Sequence, residues 1–189
     1  GCGHNIIAAA GIAAAIGLSR VIDETGGKVV ALGTPAEEIG GAKVAMAEGG
    51  VFDEIDAALM VHPSDETSES GISLAMDAIE FTFKGKAAHA AASPEYGINA
   101  LNACIETFNL INALRQHVTS DIRIHGIISE GGVAANIVPE RAQARFYVRG
   151  LKRSSLNEVV EKVKNCARAA ALGTGAGLEI RNYELSNDN

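Results

Sequence analysis

Five side chains in the first third of the sequence have the types and placement of a hydrolytic metal site: Cys2 and His4 in Cys2-Gly3-His4, the pair Glu37-Glu38 in GTPAEE, and His62 in LMVHP. Zinc takes Cys sulfur, His nitrogen and carboxylate oxygen, and a catalytic site leaves one position open for water. A carboxylate left over beside the ligands can serve as general base. Taken singly, each motif has a structural alternative. Cys2 and His4 can merely cap and pack, or form a nucleophile and base, although residues so close in sequence seldom have the mutual geometry for that. Glu37-Glu38 alone reads as a solvated acidic loop, and His62 alone as an imidazole satisfied by a neighbouring backbone group. Convergence favours chemistry, because all of them fall at the ends of expected elements.

Those elements alternate. Residues 6–23 are apolar on every side, which predicts a helix inside a layered structure. Cys2 and His4 lie just before its N-terminus, where the macrodipole favours a thiolate. The β-branched run 28–33 (KVVALG) predicts a buried strand ending at Thr34-Pro35. A short helix over 40–48 and a second apolar strand over 57–61, ending at His62-Pro63, complete the alternation, so a parallel α/β sheet is expected. In such sheets chemistry gathers beyond the carboxyl ends of the strands, where Glu37, Glu38 and His62 sit.

After a polar loop over 64–70 the pattern changes. Leu74, Met76 and Ala78 alternate, then Phe81 and Phe83 resume with shifted parity, which predicts a long strand with a slip or bulge near Ile79. Residues 99–118 predict a helix with the stripe Leu101, Ile105, Phe108, Ile111 and Leu114, followed by strands over 123–129 and 142–148. Ser155 and Glu158 read as a capping box opening a second helix with Leu156, Val159, Val163 and Cys166 inward, and 177–183 closes as a strand. The order β-α-β-β-α-β is the split motif of ferredoxin-like folds, with boundaries placed near Gly71 and Leu185. His89, in KGKAAHAAASP, falls in the loop after the first of these strands, where an imidazole could polarise a carbonyl. Asn136 and Arg149 lie near strand ends and could bind an amide or carboxylate, Arg being the better clamp because its fork is bidentate. On local evidence alone, a structural role is the favoured reading for each of the three. His117 and His125 are expected to be surface or packing residues.

Composition bounds the rest. At 189 residues, 47% hydrophobic and 21% charged, the chain is an ordinary globular one with room for one or two cores. A formal net charge of -7 without basic runs argues against a nucleic-acid partner. Three scattered cysteines give no disulfide framework and fit a reducing, cytoplasmic setting; Cys104 and Cys166 fall on apolar helix faces and are expected in the core. The apolar stretch 6–18 is well short of the roughly 20 residues that a bilayer span requires.

The ordered motifs CGHN, GTPAEE with GGAK, the strand ending in HP, GKAAHAAASPEYGINALNA, HGIISEGGVAANIVPE and CARAAALGTG resemble the aminoacylase-1 and carboxypeptidase G family of co-catalytic metallopeptidases. Within it they look most like the branch of B-type p-aminobenzoyl-glutamate hydrolases and aminoacylase-1-like dipeptidases. The resemblance implies a zinc-peptidase-like α/β catalytic domain, here partial over 1–72. Into it is inserted an α+β ferredoxin-like lid and dimerisation domain over 73–185, with 186–189 beginning the return. It implies that Cys2, His4, Glu38 and His62 are ligands to two divalent ions, zinc or manganese, and that Glu37 is the general base. His89 and Asn136 match lid residues that contact substrate, sometimes in the partner's active site. Arg149 matches a carboxylate-binding Arg, although a Pro usual nearby is missing. The implied function is hydrolysis of amide or peptide bonds in small N-acyl amino acids or dipeptides by a homodimer. Family members are about twice as long and carry a final ligating His, whereas no His follows His125. The chain therefore reads as the middle of an enzyme, expected to be weak or inactive alone. The alternative is a non-catalytic lid and dimerisation module with an incomplete metal site.

Overall fold

The computed structural model describes residues 2–38, 41–69, 71–184 and 186, which form two compact units, Gly1–Gly71 and Ile72–Asn189. The boundary expected near Leu185, and most of the 186–189 segment, lie outside the described residues.

Among its described residues the first unit has three helices, α1 (His4–Ser19), α2 (Ile22–Thr25) and α3 (Ala42–Glu48), none with a buried residue. The expected buried helix over 6–23 is thus corrected twice. It breaks at Arg20, and Ile6, Ile12, Ile16 and Leu18 are each more than half exposed. A helix that is apolar all round needs neighbours all round, and the described residues of this unit supply none. The expected strands at 28–33 and 57–61 have no strand assignment, so the parallel sheet does not form among the described residues. Parallel strands are stable only in a ladder covered on both faces.

The second unit begins with β1 (Ala75–Lys84) and α4 (Ala100–Leu114), continues with β2 (Arg123–Glu130) and β3 (Arg141–Gly150), and ends with α5 (Arg153–Thr174) and β4 (Gly177–Asn182). Its antiparallel sheet has the order β2-β3-β1-β4, the ferredoxin-like arrangement. The helices cover one face. Ile79, Phe81 and Phe83 of β1, Phe146 and Val148 of β3, Ile111 of α4 and Leu156 and Val163 of α5 make the core, all at 0% exposure. The Phe146 ring packs against Phe108 at 4.7 Å and Phe81 at 5.9 Å between centroids, distances typical of favourable aromatic pairs.

Several local expectations are corrected here. β1 has no bulge at Ile79, since its register with β3 runs unbroken from Ala75 opposite Gly150 to Lys84 opposite Arg141. The parity shift arises because charged residues are buried on both faces. Asp77 takes Arg153 on the helix side at 2.7 Å, and Glu80, 1% exposed, takes Arg145 at 2.8 Å and Arg181 on the open side. The irregularity lies in β2, between Ile128 and Glu130. In α4, Ile105 is 42% exposed and the inward residues are Ala100, Ala103, Cys104, Thr107 and Ile111. α5 starts before the expected capping box, with Lys152 at its N-cap, and the Ser155 hydroxyl donates to the Lys152 carbonyl at 3.0 Å. Arg153, anchored on Asp77 and the Met76 carbonyl, fixes that earlier start. Cys104 is buried as expected and Cys166 is half-buried against the core. Burial pushes the Cys104 thiol up to about 11.

The helix-free face of the sheet is polar. A concavity of about 470 Å³ on it is lined by Glu80, Arg181 and Glu179 among others. Glu80 is held by two arginines and Glu179 by Lys84, so its walls are cross-strand ion pairs already satisfied.

Candidate active site

In the first unit the N-cap of α1 is Gly3, at φ 74°, where a Cβ would lie 3.0 Å from Pro63 Cγ. That close approach brings the start of α1 against the His62-Pro63 dipeptide, and only glycine takes this backbone conformation without strain. Ala36, just before the Glu pair, sits at φ 54°, a left-handed conformation rare for residues with a Cβ. These two turns set the cluster. One ligand atom each from Cys2, His4 and Glu38 falls within a 4.8 Å span, and all three are exposed. His4 Nε2 is 3.5 Å from Glu37 Oε2 and 3.5 Å from Glu38 Oε1.

The electrostatics differ from the expectation that the helix terminus would favour a thiolate. The Cys2 thiol is raised, first by its hydrogen bond to the Glu38 carboxylate and then by that charge. The same hydrogen bond holds Glu38 below the ordinary carboxylate value, with His4 and His62 adding to the effect. A nearby carboxylate thus outweighs a helix end. A thiol sharing its proton with a carboxylate is an arrangement that a cation reverses, because both groups then ligate as anions. The donor set of sulfur, imidazole and carboxylate fits zinc, and its imidazole and carboxylate part also fits manganese.

His62 lies outside this three-residue cluster but close enough to Glu38 for its charge to be felt. Its Nδ1 is 2.7 Å from the Pro63 carbonyl. A carbonyl only accepts, so Nδ1 carries a hydrogen, and in the neutral ring Nε2 then keeps its lone pair, the form in which outer hydrogen bonds orient metal-ligating histidines. This orienting carbonyl is not readable from sequence, because any following residue supplies one.

In the second unit the backbone joins His89 and Asn136. The Ala90 amide donates to the Asn136 carbonyl at 3.0 Å, the Val138 amide to the Ala88 carbonyl at 2.9 Å, and His89 bridges Ile137. The loop leaves β1 through Gly85, where a Cβ would meet the Ile98 carbonyl oxygen at 2.0 Å, so only glycine fits. His89 and Asn136 are exposed. His89 Nδ1 accepts from the amides of Ala91 at 3.3 Å and Ala92 at 3.1 Å, two contributors the sequence did not reveal because their side chains are only methyl groups.

Arg149 is elsewhere. It lies on β3 opposite Met76 and Arg123, with its guanidinium 5.5 Å from the Tyr147 ring centroid. Its Nε is the buried side-chain polar atom left without a partner among the described residues. A buried donor of that kind calls for an acceptor. The His89 and Asn136 loops join the sheet where β1 ends and β3 begins, whereas Arg149 is near the far end of β3. From Arg141 to Arg149 the strand rise gives roughly 26 Å. His125, expected to be surface or packing, stacks on Tyr147 at 5.6 Å, and desolvation with the Arg149 charge lowers its pKa.

Comparison with known proteins bears on these geometries. Residues 76–174 match the sequence profile of a peptidase dimerisation domain. The chain is 40% identical over 183 residues to the Xaa-Arg dipeptidase of Mus musculus, covering 95% of this chain and 42% of that protein. It is 36% identical over 185 residues to the B-type p-aminobenzoyl-glutamate hydrolase polypeptide of Escherichia coli K12, covering 96% and 38%. The chain therefore spans about two-fifths of the length of these relatives. Among solved structures, the aminobenzoyl-glutamate utilization protein of Klebsiella pneumoniae superimposes with a TM-score of 0.55 at 26% identity, over 61% of this chain and 29% of that one.

Proposed function

The chain belongs to the peptidase dimerisation domain family, and from that membership we propose that the whole protein is a metal-dependent hydrolase of amide bonds in small N-acyl amino acids or dipeptides. The observation that carries this reading is the convergence of Cys2, His4 and Glu38 within 4.8 Å, with Glu37 3.5 Å from the same His4 nitrogen. Cys2, His4, Glu38 and His62 would hold two divalent ions, zinc or manganese. Such ions supply, when bound, Lewis-acid polarisation of the scissile carbonyl and a lowered proton affinity for the attacking water. Glu37 takes the water proton as the oxygen adds to the carbonyl carbon, and returns it to the amine as the C–N bond breaks. His89 and Asn136 contact the carbonyl and amide, and Arg149 holds a terminal carboxylate through its bidentate fork. The relatives act on Xaa-Arg dipeptides and p-aminobenzoyl-glutamate by name, and both substrate classes offer such a carboxylate.

Assembly enters through the lid. The His89 and Asn136 loops join the sheet at the Lys84 and Arg141 end, and Arg149 lies roughly 26 Å along β3 from Arg141, so the two sets leave opposite ends of one protomer's sheet. This supports a homodimer in which the His89 and Asn136 pair serves the partner's site. No described helix is long and apolar enough to cross a membrane.

The test is a pair of variants in the protein at the length of its relatives, assayed on p-aminobenzoyl-glutamate, N-acyl amino acids and dipeptides with metal content measured in parallel. Glu37→Gln is expected to lose about 100- to 10,000-fold in kcat with metal retained, and Glu38→Gln to lose metal as well. Full activity in Glu37→Gln, or equal metal loss in both, would overturn the division of roles. A second reading is favoured by the core, whose buried residues, among those described, all lie in the second unit: the 189-residue piece acts as a lid and dimerisation module without catalysis. Metal content together with turnover of that piece separates the two.

A further inference from the structure

We propose that the backbone amides of Ala91 and Ala92 lock His89 as its Nε2–H tautomer, making it a hydrogen-bond donor to substrate and not a second base. The inference deepens the reading of His89 as a substrate contact and rests on it. A ring nitrogen that accepts from two N–H groups, at 3.3 and 3.1 Å, must present a lone pair to them. In neutral imidazole the single proton is then on Nε2. That nitrogen has no lone pair left to take a proton, so His89 can only donate through it.

The loop is built to keep this arrangement. The Ser93 amide donates to the His89 carbonyl at 3.1 Å, closing a turn that aims the Ala91 and Ala92 amides back at the ring. Ahead of the ring, His89 pairs with Ile137 and the Ala90 amide is tied to Asn136, so the main chain cannot swing to another rotamer-compatible pose without breaking the bridge. His62 is the counterexample within the same chain. Its Nδ1 faces a carbonyl, which leaves Nε2 as an acceptor suited to a metal. The two histidines thus carry opposite tautomers, one to ligate and one to donate, and each is fixed by main-chain atoms alone. Ala91 and Ala92 are positioning residues, acting through His89.

The test is nitrogen NMR of the 189-residue chain labelled at histidine, at a pH of about 8, where ordinary imidazole is neutral. His89 is expected to show an unprotonated Nδ1 and a protonated Nε2, while His62 shows the reverse. A protonated Nδ1 at His89, or an even mixture, overturns the proposal whatever the enzyme does. Ala92→Pro removes the closer donor and is expected to move His89 toward a mixture with the urea midpoint held. Because proline can disturb the turn, His89→Asn and His89→Ala supply a second readout. Asn retains a side-chain acceptor for the two amides, so Ala91 and Ala92 exchange is expected to stay slow in it and to quicken roughly fivefold in the Ala variant, the loss of about 1 kcal/mol of hydrogen bonding. Equal exchange in parent and Ala variant overturns the lock. If the tautomer is as stated but His89→Ala leaves turnover of the longer protein intact, the substrate-contact reading fails and the lock stands.

Discussion

The two units of this chain carry similar apolar runs and treat them oppositely. In residues 2–69 the runs KVVALG and AALMV form no ladder, and α1 leaves Ile6, Ile12, Ile16 and Leu18 more than half exposed. In the second unit β1 buries nearly every residue between strands that come later in the same sequence, Arg141–Gly150 and Gly177–Asn182. The difference is one of closure. An antiparallel α+β sandwich draws its strand partners and covering helices from one continuous stretch, whereas a parallel sheet needs neighbours on both edges and layers on both faces before any strand is favourable. An apolar pattern states what a segment can bury, and its surroundings decide whether it does.

The sharpest way to break that comparison is to remove the same kind of side chain from each unit. Phe146→Ala takes a ring with 0% exposure out of contact with Phe81 and Phe108 and is expected to cost about 4 kcal/mol in urea unfolding. Ile12→Ala, at a position 57% exposed, is expected to change stability by less than about 0.5 kcal/mol. A cost above about 2 kcal/mol at Ile12 would mean that α1 packs in solution as the sequence pattern anticipated.

A smaller, pH-dependent effect probes the charges inside the sheet. The Glu80 carboxyl is held below its ordinary value of 4.5, first by the hydrogen bond from Arg181 and then by Arg145. A carboxyl lowered by folding contributes stability that is fully present above the unfolded value and is lost as pH falls through the folded one. Glu80→Gln is therefore expected to cost about 2 kcal/mol at neutral pH, a figure kept modest because both arginines are substantially exposed. The gap to the parent should close as pH drops below about 4.5. A gap that stays constant down to acid pH would show that Glu80 matters by shape alone.

These charges also explain which parts of the fold were legible in sequence. The β-α-β-β-α-β order was readable because the apolar runs of the second unit have the length and spacing of its strands and helices, and their partners all lie within one continuous stretch. So was most of the inward face of α5, where Leu156, Val159 and Val163 are buried. The apparent slip at Ile79 was a misreading of buried Asp77 and Glu80 as solvent-facing residues, and the arginines that neutralise them lie more than sixty residues away. The capping box failed for the same reason, since Arg153 is recruited to α5 by Asp77 and not by local signals. At the site, the motifs Cys2-Gly3-His4 and Glu37-Glu38 were visible by residue type, and the structure brings them together. The separation of Arg149 from His89 and Asn136 was not, because strand direction, and not spacing in sequence, sets which sheet end a loop occupies.

The smallest effect, and the finest test of closure, is at a helix end. Asn99 precedes α4 in an extended conformation and its Oδ1 accepts from the Asn102 amide at 3.1 Å, satisfying one of the free donors of the first turn. Asn99→Ala should lower stability by about 1 kcal/mol, whereas Asn99→Asp keeps the acceptor, places a negative charge at the positive end of the helix dipole, and should match or slightly exceed the parent. The cap registers in global unfolding because α4 is welded to the sheet, with the Ala100 amide donating to the Pro139 carbonyl at 2.9 Å and Ala100, Ala103 and Cys104 buried beneath it. α1 has no side-chain cap and no buried residue, so its end can fray without cost to the core. If Asn99→Ala left the urea midpoint unchanged while amide exchange quickened only within the first turn of α4, that turn would fray independently of the sandwich, and the second unit would be less closed than its burial implies.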